Sequence, residues 1–271
     1  MRVRLKDIFN DCIRTQKRLK LYVLNYASMY NKFMRNNIKC PFCGQIITEN
    51  NSKSKEHILP ESLGNKDEKF IFDKGIICDK CNNYFSRNIE EDFLNLQTIK
   101  LLRSYNRIPS KKNKIPSMDA LICGDIAKVV FHHNRIILEC EPETCIKIFN
   151  NKPEIIFSKC ECLDELQESY VVSRFLAKVC SEYLILLCIH HKVNYNDFIA
   201  KSGVKKLYEY VRYGSINGDV FNYSVEKYKD IKTSISDDVF CSIDMDYKEK
   251  DMKMIFTLYT LKFILYLGKP F

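Results

Sequence analysis

Cys40-Pro-Phe-Cys43, Glu56-His57-Ile58-Leu59-Pro60-Glu61-Ser62-Leu63-Gly64 and Cys78-Asp79-Lys80-Cys81-Asn82-Asn83 follow one another in a chain of 271 residues. The two Cys-x2-Cys pairs stand 34 residues apart. Each such loop can aim two thiolates at one ion, and two loops complete a tetrahedron. Cys40, Cys43, Cys78 and Cys81 are therefore read as the ligands of one structural Zn2+, since four thiolates leave no position open for water. An iron–sulfur cluster is the weaker alternative for the same ligand set. Glu56, His57 and Asn82 are a different kind of residue. They do chemistry rather than pack, and a four-cysteine staple alone has no use for them.

Charge is distributed unevenly around this stretch. The chain carries a formal net charge of +9, with 43 Lys and Arg against 34 Asp and Glu. Residues 1–40 hold ten basic against two acidic side chains, and residues 96–115 hold six against none. Residues 41–95, between them, hold seven basic against ten acidic. A polyanion lying across the cysteine stretch would meet positive charge at either end. The plainer reading is that of solvated charge runs in a Lys-rich chain.

The apolar share of 46% suffices for an ordinary core, and the charged share of 28% argues against wholesale disorder. No run of about 18 uncharged apolar residues is present, which excludes a membrane-spanning helix as the reading. The first residues lead into no apolar run of signal-peptide length. The expected location is cytoplasmic, with the thirteen cysteines reduced and those outside the two pairs mostly small core residues. Cys160-Glu-Cys162 is one further cluster, without a second pair to match it.

The fold class expected is α+β, in three parts. Residues 1–37 form a basic helical segment. Leu19, Tyr22, Val23, Tyr26, Met29, Tyr30 and Phe33 recur at helical spacing over 13–37, with Arg14, Lys17, Arg18 and Lys20 crowding the first half. Positive charge at a helix start opposes the helix dipole, and a phosphate backbone would offset it. Residues 38–107 form the zinc-stapled module, helical over 86–104, in one piece or two. Residues 108–117, with two prolines and three lysines, are a linker or exposed loop. Residues 118–271 form an α+β domain of unknown role. It is expected to hold short strands over 120–159, a helix over 164–189, a second over 195–213, and strands again from 236, ending in a hairpin. His132-His133 and His190-His191 are read as structural or surface residues, because adjacent side chains on a strand point apart.

The three quoted segments together resemble the HNH (ββα-metal) endonuclease family, in its four-cysteine zinc-stapled branch. In that family an acidic-His pair ends the first strand of a short hairpin, the last Cys-Asn opens a helix, and a cation sits between hairpin and helix. The resemblance implies that His57 is the general base and that Glu56 and Asn82 hold a catalytic Mg2+ or Mn2+. It implies DNA, most readily double-stranded, as partner, with a further protein partner or a homodimer also open, and no membrane. Lys55, Lys80 and Arg87, with the four basic residues of the N-terminal segment, are candidate phosphate contacts. The family's middle Asn falls close to Asp73 here, so Asn65 and Asn83 are the candidates for orienting His57. The implied activity is metal-dependent hydrolysis of phosphodiesters in DNA, in a restriction or phage-defence system. The alternatives are a non-catalytic zinc module that binds nucleic acid or protein, and a nuclease acting on RNA.

Overall fold

The computed structural model describes residues 38–65, 70–132, 135–150, 155–157, 166–200, 202–214, 221–227, 241–248 and 251–268. The helix expected over 13–37, with Arg14, Lys17, Arg18 and Lys20, lies outside these residues, and so do Cys160 and Cys162.

The cysteine stretch folds as a hairpin followed by helices. Strands β1 (Glu56–His57) and β2 (Ile71–Phe72) pair antiparallel, Glu56 opposite Phe72 and His57 opposite Ile71. Helix α1 (Asp79–Phe85) starts directly after Cys78 and runs on into a π-helical turn, Ser86–Glu90, and then α2 (Glu91–Asn95). The backbone leaves the helical region at Leu96, and α3 (Gln97–Tyr105) begins a new direction. The helical stretch is thus broken in two at Leu96, with one wide turn inside the first piece.

Two four-stranded antiparallel sheets follow. The first joins β3 (Met118–Ile122), β4 (Asp125–His132), β5 (Arg135–Glu139) and β6 (Ile155–Phe157) in the order β5-β4-β3-β6. The reading of 120–159 as strands is corrected at one point, because α4 (Pro142–Asn150) intervenes. Pro142 opens it, and a proline is well suited to the first helical position, where its missing N–H has no partner to lose. The second sheet joins β7 (Tyr223–Lys227), β8 (Cys241–Lys248), β9 (Asp251–Leu258) and β10 (Leu261–Gly268) in the order β7-β10-β9-β8. Along β9 and β10 the residues Met252, Met254, Phe256, Leu258, Leu261, Phe263, Leu265 and Leu267 are buried at every second position. That period of two puts one sheet face on the core.

Helix α5 (Tyr170–His190) is the centre of the molecule. Ser169 caps it, accepting a hydrogen bond from the Val172 N–H. Val172 through Ile189 are all buried, the pattern of a helix covered on every side. The second sheet covers one side, and the cysteine module covers another. Phe93 of α2 stacks on Phe175 of α5 with ring centroids 3.8 Å apart and planes 4° apart. Phe175 in turn meets Phe256 of β9. One hydrophobic core therefore runs from Cys40 through α5 to Leu267, while β3–β6 enclose a small cluster of their own around Ala120, Ile122, Ala127 and Val129. The single helix expected over 195–213 is two, α6 (Tyr195–Ile199) and α7 (Ser202–Tyr213). No helix among the described residues is long and apolar enough to cross a membrane.

Candidate active site

The four cysteines come together as their spacing requires. Gly44 has a φ of 71°, a left-handed conformation that suits glycine, and it lets the chain turn back after Cys43. The Gly44 N–H donates to the Cys40 carbonyl at 2.9 Å, and the Cys81 and Asn82 N–H groups donate to the Cys78 carbonyl at 2.9 and 3.0 Å. All four sulfurs lie within 4.8 Å of one another, and Cys43 Sγ and Cys78 Sγ are 3.7 Å apart. Zn–S bonds of about 2.3 Å in a tetrahedron put sulfurs about 3.8 Å apart, so the quartet fits the ion. The Cys40 thiol is pulled down to about 5, first by its hydrogen bond with Cys81. Cys40, Cys78 and Cys81 are buried, which suits a structural rather than an open site.

The cysteine quartet fixes the start of α1, and α1 fixes the approach to β1. The Asp79 carboxylate accepts the Lys53 N–H at 3.0 Å and the Ser54 N–H at 3.0 Å. Ser52 Oγ donates to the Ile77 carbonyl at 2.9 Å. Asn82 Nδ2 donates to the Lys55 carbonyl at 3.0 Å, which leaves its Oδ1 as the amide atom available to a ligand. Beyond the hairpin, Asn65 is buried and donates to the Leu59 carbonyl at 2.9 Å and the Phe70 carbonyl at 3.4 Å. It thereby pins the backbone just after His57 to the second strand.

Glu56, His57 and Asn82 open onto one cleft of about 240 Å³. Glu61, Asn83 and Glu90 share its walls, and Lys55 and Lys111 stand on its rim as exposed cations. Lys80 and Arg87 are exposed on the same helical stretch and do not line the cleft. Lys111 comes from the loop between α3 and β3, so part of the basic run 96–115 does reach the site.

His57 is half-buried, with Nε2 3.2 Å from Glu61 Oε1, an ion-pair distance without hydrogen-bond alignment. Burial lowers its pKa below the usual 6.5, Glu61 opposes the shift, and Lys111 and Lys178 add to it. The imidazole is thus neutral at neutral pH, the state of a base. Glu56 is buried, and burial raises its pKa to about 7 against the pull of Lys178. Its Oε2 is buried without a hydrogen-bond partner. A carboxylate from Glu56 and an amide from Asn82 on the walls of one cleft are donor types suited to a hard divalent cation that keeps several waters.

Lys178 of α5, Glu90 and Glu182 were not part of the sequence expectation. Lys178 Nζ lies 2.9 Å from Glu56 Oε1, 2.8 Å from Glu90 Oε1 and 2.8 Å from Glu182 Oε2. It also donates to the His57 carbonyl at 2.7 Å. Lys178 and Glu182 are fully buried. Burial alone would discharge the ammonium, but three carboxylates hold its pKa well above the usual lysine value. Removing one partner of such a cluster costs about 3–5 kcal/mol, because an uncompensated charge stays buried. The signal in the sequence is a Lys and a Glu four residues apart inside a mostly apolar helix. The π-helical turn that ends at Glu90 belongs to the same arrangement, since it delivers that carboxylate to Lys178.

Residues 40–96 match the family model described as HNH endonuclease. No curated protein and no solved structure matches the chain. The matched segment holds the hairpin, the cysteine quartet, α1, the π-helical turn and α2, a ββα-like arrangement consistent with the HNH match.

Proposed function

We propose that the protein is an endonuclease that hydrolyses phosphodiester bonds in double-stranded DNA, with Zn2+ at the four cysteines and Mg2+ or Mn2+ at Glu56 and Asn82. The observation that carries the reading is the meeting of Glu56, His57 and Asn82 on one cleft within the matched module. His57, neutral at working pH, takes the proton from a water that attacks the phosphorus. Glu61 supports the imidazolium that results, from 3.2 Å. A bound cation supplies charge stabilisation at the phosphorane and the leaving 3′ oxygen. Lys55 and Lys111 hold the backbone phosphates on either side and read no sequence. A restriction or phage-defence role rests on family analogy alone.

Cleavage of supercoiled plasmid in Mg2+ or Mn2+, and none in EDTA under conditions that retain the zinc, is the expected result. Plasmid left intact with every divalent ion tried would return the protein to the class of binding modules. Asn82→Ala should lower cleavage by at least about 10-fold, in line with the affinity lost when metal-site partners are removed. Raising Mn2+ should restore part of it, with zinc content unchanged. A loss that no amount of Mn2+ relieves would remove Asn82 from the cation site. Replacing Lys55 and Lys111 by Ala together should weaken binding to unrelated DNA sequences equally. It should also reduce the slope of log K against log salt by about two, roughly one counterion per phosphate contact. Parallel salt slopes would place the DNA elsewhere.

A further inference from the structure

We propose that Lys178 is a positioning residue for the cation site: its ammonium holds the Glu56 carboxylate and the His57 backbone where both meet the cleft. The inference rests on the reading of Glu56 as a cation ligand, and it extends the site to a helix outside the matched residues 40–96.

Three observations converge. Lys178 Nζ lies 2.9 Å from Glu56 Oε1, and Glu56 stands on the cleft wall. The same ammonium donates to the His57 carbonyl at 2.7 Å and approaches the Ile58 carbonyl at 3.4 Å, so it fixes the backbone of the base together with the carboxylate of the ligand. Glu90, a cleft-lining residue, and Glu182, fully buried behind it, hold the ammonium in place at 2.8 Å each. Partners one bond removed from a metal orient its ligands, and their loss typically lowers metal affinity by about 10–100-fold.

The test is Mn2+ binding in the absence of nucleic acid, read by paramagnetic resonance of free Mn2+ on zinc-loaded protein. The site followed is the one that Glu56→Ala abolishes. The variant is Lys178→Met with Glu182→Gln, which removes the ammonium together with the acidity of the buried carboxyl that faces it. The expected result is one zinc per chain, as in the wild type, and a Mn2+ Kd raised by at least about 10-fold. A double variant that binds Mn2+ as tightly as wild type, or more tightly, overturns the proposal and leaves the cation reading standing. It would mark the ammonium as a fold staple or as a competitor for Glu56. A wild type without a Mn2+ site that depends on Glu56 overturns both. Should the double variant not fold, the wild type carries the test through the 15N resonance of its buried lysine ammonium. That signal should shift on addition of Mg2+, with the midpoint found by calorimetry. A resonance unmoved at saturating Mg2+ overturns the proposal.

Discussion

Cys78→Ser protein is expected to emerge from purification without zinc and without a folded module. Cys78 is fully buried, precedes α1 directly, and offers its carbonyl to the N–H groups of Cys81 and Asn82. Its loss removes a ligand and the anchor of the helix that carries Asn82. Structural zinc contributes about 10–16 kcal/mol of apparent binding free energy in small zinc domains, more than the roughly 5–15 kcal/mol that holds a typical domain folded. The module shares its core with α5 and the second sheet, so the damage should spread to the whole protein as a lowered melting temperature or loss to aggregates. Cys145→Ser is the matched control. Cys145 is exposed on α4, 3.2 Å from Cys140 Sγ, and its replacement should leave zinc content and melting unchanged. A C78S protein that melts like wild type, or wild type without zinc, would dismiss the structural metal.

His57→Ala is expected to leave zinc, fold and DNA affinity in place and to lower cleavage by at least about 10²-fold, the lower end for removal of a general base. That is about 2.7 kcal/mol of barrier. The pH dependence gives a second, independent check. The imidazole acts when deprotonated, and burial sets its pKa below 6.5. At a cation concentration that keeps Glu56 ionised, activity should therefore hold as pH falls to 6.5 and decline only below it, as the imidazole takes a proton. The Lys111 charge contributes to that lowering, so Lys111→Ala should move the acid limb upward toward 6.5. H57A that cuts like wild type removes this residue from the chemistry, and an acid limb centred above 6.5 assigns it to another group.

What the sequence disclosed was local. The two Cys-x2-Cys pairs, the Glu-His dipeptide and the Cys-Asn pair are each read within a few residues, and the structure brings them together around one hairpin and one helix. The β9–β10 hairpin was equally legible, because its burial alternates strictly along the chain. The burial of Glu56 was not legible. A Glu before a His beside a Pro turn looks exposed, and what buries it is a helix more than a hundred residues away. Lys178 and Glu182 escaped notice because a charge inside an apolar helix has meaning only once its partners are known. Helix α4 was lost among strands because Glu141-Pro142-Glu143-Thr144 reads as a turn as readily as a helix start. Asn65 stood among the candidates for the family's middle Asn, and its bonds to Leu59 and Phe70 give it a backbone-pinning role from a different point in the chain.

The stacking of Phe93 on Phe175, and of the module on β10 through Phe93 and Phe263, has a consequence for the life of the nascent chain. A ribosome finishes the cysteine stretch well before it makes α5, and at about 5–20 residues per second it reaches β10 on the order of ten seconds later. Until then Glu56 has no Lys178 to hold it, and the aromatic face that should be covered is bare. A half-made chain, or one shortened by a broken message, should therefore be an inert and short-lived fragment rather than a loose cutter of the cell's own DNA. A fragment ending before Tyr170 that cleaved plasmid would show otherwise.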